Sequence, residues 1–172
     1  FRILFFILIT IALSDSAQAQ VVNIEGRRLS NDTVPWSGFA NFRFNVAENG
    51  QRSVGFGLSG AVQHIHGRNR YFFINDLAFS QVENNNFLNT GFQHLRYNYR
   101  YDSLWTGEAF VQTQYNKPLR LDFRLTVGVG PRLTAVHTDK FKLNLGTSLM
   151  YENEYDTDEH GFSEGRSSTY IS

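Results

Sequence analysis

Charged and amide side chains recur at alternate positions along much of this sequence. His94, Arg96, Asn98 and Arg100 form one set, and Glu108, Gln112 and Gln114 a second. Arg120, Asp122, Arg124 and Arg132 form a third; Asn144, Glu152 and Glu154 form a fourth. Successive side chains of a β-strand point to opposite faces, so each set shares one face. Opposite charges on neighbouring antiparallel strands sit about 5 Å apart and can pair. Two chemistries follow. A salt-bridged network would fill a narrow interior and pin strand register. A basic constriction would select anionic solutes. The acids and bases are interleaved rather than segregated, which favours the network.

Other patterns suggest sharper chemistry and fall short of it. His64-Ile65-His66 places two imidazoles on one strand face, a spacing that binds a metal once a third ligand joins. The sequence offers no companion. Asp156-Thr157-Asp158-Glu159-His160 is acidic, but it lacks the alternating acids and central glycine of a calcium loop. Ser163 and His160 share one outer segment, yet nothing there orients the histidine as a hydrolase requires. Gly128-Val129-Gly130 lies within a strand pattern with no helix after it, the wrong context for a nucleotide loop. Cysteine is absent, which excludes disulfides, thiol chemistry and Cys-based zinc sites. The formal net charge is zero, so nothing points to nucleic acid. The expectation is a chain that is not an enzyme, with no catalytic, cofactor-binding or metal-ligating residues.

The elements that carry these residues are strands. The cleanest pattern runs from Leu119 to Pro131. Leu119, Leu121, Phe123, Leu125, Val127 and Val129 fall on one face, and Arg120, Asp122, Arg124, Thr126, Gly128 and Gly130 on the other. One side therefore needs wholly apolar surroundings while the other carries full charges. A water-soluble sandwich has an apolar inside and a charged outside. The reverse arrangement fits a barrel with lipid outside and polar groups within.

Seven alternating stretches are expected in all, at about 36–47, 52–65, 70–81, 90–101, 105–116, 119–136 and 141–154, with an eighth starting at Ser167. In the third, Tyr71 to Ile74 are apolar in succession; Leu77 and Phe79 set the outward face and Asp76, Ala78 and Ser80 the inward one. Tyr97, Tyr99 and Tyr101 bunch at one strand end, as in an interfacial aromatic belt. Short connections at 66–70, 102–104 and 137–140 alternate with long loops at 82–89 and 155–166. That asymmetry suits short periplasmic turns and longer outer loops.

The first residues are read apart from the fold. Arg2 precedes the apolar run Ile3 to Leu13, and Ala17-Gln18-Ala19 fits a small-x-small cleavage site. Residues 1–19 are expected to be a secretory signal peptide. The run is shorter than the roughly 20 residues of a spanning helix. Residues 20–35 read as a polar periplasmic lead-in, and 36–172 as the barrel domain. The chain begins with Phe1, and the last strand pattern stops at Ser172, so a barrel incomplete at its C-terminus is expected.

Four ordered segments carry a family resemblance: Gly91-Phe92-Gln93-His94-Leu95-Arg96-Tyr97-Asn98-Tyr99, the stretch Glu108 to Lys117, Arg124 to Arg132, and Leu145 to Glu152. Together they resemble the salt-induced outer-membrane protein family, domain of unknown function family 481. The resemblance implies an antiparallel up-and-down transmembrane β-barrel of about twelve strands, of which this chain holds seven to eight. It implies no activity, because the family has no established catalytic residues. The expected location is the bacterial outer membrane. The expected partners are outer-membrane lipid and the barrel-insertion machinery, with a small solute if the lumen is open. The expected role is structural or envelope-stress related, with a mostly plugged lumen.

Overall fold

The computed structural model describes residues 34–48, 50–82, 85–138, 142–156 and 161–171. The expected leader, nearly all of the lead-in and His160 lie outside them. Period-two alternation becomes eight strands: β1 (Trp36–Glu48), β2 (Arg52–His66), β3 (Asn69–Val82), β4 (Asn85–Arg100), β5 (Trp105–Asn116), β6 (Leu121–His137), β7 (Lys142–Asp156) and β8 (Gly161–Ile171). They form one all-β, antiparallel, up-and-down sheet in strict sequence order. The sheet is not closed: β1 and β8 are its edges. Among the described residues, no helix is long and apolar enough to cross a membrane.

Register fixes two chemically opposite faces. Gln63, Phe72, Arg96, Phe110 and Gly128 follow one another across β2 to β6 on one face. That face is buried although the described residues supply no second layer, so the sheet must curl to cover it. Contacts between distant strands agree, since Tyr170 on β8 reaches Glu108 on β5. The concave face also holds an apolar cluster of Ala61, Phe72, Ile74 and Phe92. The ambiguous run at Tyr71–Ile74 is thereby resolved: Phe72 and Ile74 turn inward, Tyr71 and Phe73 outward.

The convex face exposes large apolar side chains on β1 through β7, among them Phe42, Phe56, Phe73, Leu95, Val111, Val129 and Leu149. One rim carries a cross-strand aromatic ladder, with Trp36, His64, Tyr71 and Tyr97 directly opposite one another. Trp36 stacks on His64 at 4.1 Å between ring centroids. Toward the other rim, Phe44, Phe56 and Phe79 are likewise in register. From Trp36 to Phe44 the strand rises about 27 Å.

Two glycines let the concave face pack tightly. A Cβ on Gly128 would lie 2.5 Å from the Phe110 ring, and one on Gly146 would lie 2.2 Å from the Tyr170 ring. Each glycine stands opposite the aromatic that covers it. Bulky rings therefore fold across the sheet where a side chain would block them.

Three expectations need correction. Leu119 is not in the sixth strand. Asn116-Lys117-Pro118 breaks the ladder and Lys117–Leu119 forms a 3-10 turn, closed by Arg120 in the left-handed region (φ 57°). Leu121 does not face outward. The register slips between Leu121 and Phe123, and that β-bulge reverses the alternation. Leu121 is accordingly buried, opposite Asn116 and Asp156. Finally, the long loops are short. β3 pairs with β4 as far as Val82 and Asn85, and β8 begins at Gly161 rather than Ser167. The loop-length asymmetry therefore gives no orientation.

Candidate functional site: the charged lining of the concave face

The lining is built around two carboxylate hubs. Glu108, on β5, is buried and bridges three strands besides its own. Arg96 on β4 donates to it at 3.4 Å, Arg132 on β6 donates at 3.2 Å, and the Tyr170 hydroxyl of β8 donates as well. Arg96 also lies over the Phe110 ring, 5.5 Å from its centroid. A buried carboxylate is tolerated when paired and hydrogen-bonded in this way.

His94 extends this hub. Its ring is 1% exposed and stacks between Phe92 and Phe110. Arg96 Nε lies 3.3 Å from His94 Nε2, and His94 Nδ1 lies 3.1 Å from Gln112 Oε1. A guanidinium can only donate, so Nε2 accepts and Nδ1–H donates to Gln112. The hydrogen bonds thus select one neutral tautomer.

The second hub joins β6, β7 and β8. Arg124 contacts Glu154 at 2.6 Å and Glu152 at 3.7 Å. Thr126 donates to Glu152, and Arg166 lies 3.6 Å from Glu152 and contacts Glu164. Between the two hubs, Arg96, Arg132, Arg124 and Arg166 face Glu108, Glu152, Glu154 and Glu164. The charges cancel, and the arrangement offers no segregated basic ring.

The other expected lining residues are distributed unevenly. Asn98 and Asn144 are buried, and Asn144 accepts from Thr134 at 3.1 Å. Gln114 is half-buried on the same face. Arg100 shares the inward parity but is exposed at the rim. Arg120 stands in the turn, outside any strand, because its left-handed backbone ends the 3-10 turn. Asp122 sits beside the bulge, where Lys117 donates to it at 2.6 Å. The reading of Arg120 and Asp122 as lining residues is thus corrected. Sequence reasoning missed Glu164, Arg166 and Tyr170. On β8 the outward positions are Gly161, Ser163, Gly165, Ser167, Thr169 and Ile171. None before Ile171 is apolar, so the period-two signal was weak, although the inward Phe162, Glu164, Arg166 and Tyr170 keep it.

The His64–His66 pair lies on the convex face. The two rings stack 6.4 Å apart, and His64 also stacks with Tyr71 and lies within 3.1 Å of the Pro35 carbonyl. Among the described residues no group of three His, Asp or Glu side chains could hold a metal. Ser163 is exposed and accepts from Asn153 at 2.7 Å.

A family model described as a protein of unknown function, DUF481, matches residues 44–172. This chain belongs to the DUF481 family. The match takes in both hubs, both convex aromatic bands except Trp36, and all of β2 to β8. No curated protein and no solved structure matches this DUF481 chain.

Proposed function

We propose that this DUF481 chain forms the wall of an integral outer-membrane β-barrel, exported through a cleaved signal peptide, whose lumen is closed by its own charged lining. The observation that carries this reading is the inversion of the two faces. Exposed Phe, Leu and Val side chains cover the convex face of seven strands, while Glu108, Glu152, Arg96 and His94 are buried on the concave face. Lipid is the surrounding that makes such a surface stable, since exposed apolar patches of this extent are otherwise sites of association. The aromatic rows at either end suit the two membrane interfaces. In lipid every backbone donor and acceptor must be paired, so the edges of β1 and β8 have to be capped by further strands or another copy.

The rim bearing Trp36, His64, Tyr71 and Tyr97 is the periplasmic one on this reading, because the chain enters β1 there from the exported N-terminus. The balanced hubs support a structural barrel over a selective channel. The test is heat-modifiable migration of the full-length protein extracted from membranes. A folded band that shifts on boiling, from protein that resists alkaline extraction, supports the barrel. Protein released by alkali with no shift on boiling contradicts it.

A further inference from the structure

We infer that His94 is a proton-operated latch on the charged lining: its neutral ring holds Arg96 in place across the concave face, and its protonated ring releases it. The inference rests on the reading above that the lining closes the lumen. His94 Nε2 has one lone pair, and Arg96 Nε occupies it at 3.3 Å. A proton needs the same lone pair, so proton and guanidinium exclude each other there. The ring itself is anchored in both states. Its Nδ1–H donates to Gln112 at 3.1 Å either way, and Phe92 and Phe110 stack on it at 6.3 and 5.2 Å between centroids. Arg96, on its long side chain, is therefore the partner that moves.

What Arg96 holds is the first hub. Its Nε is fixed by His94 on β4 while its Nη1 donates to Glu108 on β5 at 3.4 Å, so the histidine aims the guanidinium at the carboxylate. When Arg96 leaves, Glu108 keeps Arg132 and the Tyr170 hydroxyl. The wall stays cross-linked while one arm of the lining swings free. Charged groups surround the ring on the same face. Arg70 and Asp76 come from β3, opposite Asn98 and Phe92, and Glu108 comes from β5. Gln112 stands directly opposite His94, and beyond it Thr126 and Glu152 continue the row, with Arg124 beside them on β6. Imidazole is the one side chain in this set whose ordinary change of charge falls between about pH 5 and 8. The latch is thus a device for loosening the closed lumen in mild acid.

The test is planar-bilayer conductance of the full-length protein, verified as folded by heat-modifiable migration, at about pH 7.5 and about pH 5. The unaltered protein should be silent at the higher value, where closure itself is judged, and should show current steps at the lower one. Their frequency should rise by no more than about tenfold per pH unit, the limit for exchange of one proton. His94→Gln offers Arg96 an oxygen without a titrating ring and should be silent at both values. Arg96→Gln removes the arm and should give steps at both. Silence of the unaltered protein at both values, or acid-induced steps that survive in His94→Gln, overturns the latch and leaves the closed barrel intact. If His94→Gln does not fold, Arg96→Gln decides: steps in it that still require acid overturn the latch, because His94 then has nothing to release. Steps from the unaltered protein at about pH 7.5 overturn the closed-lumen reading and this inference together.

Discussion

Removal of the Glu108 carboxylate takes away the acid that Arg96 and Arg132 share in the buried lining. Taking one partner from a buried ion pair costs about 3–5 kcal/mol. Glu108→Ala is therefore expected to lower unfolding stability by about that much in a denaturant titration, and Glu108→Ala combined with Arg96→Leu and Arg132→Leu to recover part of it. A loss well under 1 kcal/mol would mean that water already solvates the hub. Asp102 makes a different case at the exposed rim. The Trp105 amide first, and the Leu104 amide second, hold its carboxyl below the usual aspartate range. A lowered folded pKa adds stability above the unfolded value of about 4 and loses it as pH falls through the folded one. Asp102→Ala should thus be less stable than the parent at neutral pH, with the gap narrowing below about pH 4. A gap independent of pH would contradict this role.

At the scale of elements, the turn between β5 and β6 sets which side chains of β6 face inward. Asn116 caps the 3-10 turn by accepting from the Leu119 amide at 3.3 Å, and Arg120 ends it at φ 57°. Asparagine tolerates the left-handed region and β-branched residues do not. Arg120→Asn is expected to be close to neutral, and Arg120→Ile to destabilise by about 1–2 kcal/mol. Equal effects in equilibrium unfolding would contradict the backbone assignment. This turn also marks where the sequence misleads. Period two made seven strands and their faces legible, from Ser37 and Gln63 inward to Leu95 and Val111 outward. A bulge carries no compositional mark, so the reversal at Leu121 and the rim position of Asp122 were hidden. The first half of β8, ahead of Ser167, was hidden for another reason: alternation is visible only when both faces differ in polarity, and its outward Gly161, Ser163 and Gly165 are not apolar. The hubs were half legible. Alternation placed Arg96, Glu108, Arg124 and Glu152 on one face, but only the curl of the sheet brings Tyr170 to Glu108 across two intervening strands.

At the scale of the whole molecule, one sheet carries two chemically opposite faces. Its convex side is finished by seven strands of apolar residues between two aromatic rows. Its concave side is finished by four arginines and four glutamates in two hubs that cross-link β4 to β8. Paired charges inside a narrow barrel hold strands in register and occupy the space an open pore would need. The account's central claim is a membrane barrel closed by its own lining, and planar-bilayer conductance of the full-length protein tests it most directly. Protein verified as folded by heat-modifiable migration should give no stable current steps, and Glu108→Ala should introduce them. Stable, salt-dependent steps from the unaltered protein would contradict the claim and make the inward Arg and Glu residues the walls of an open channel.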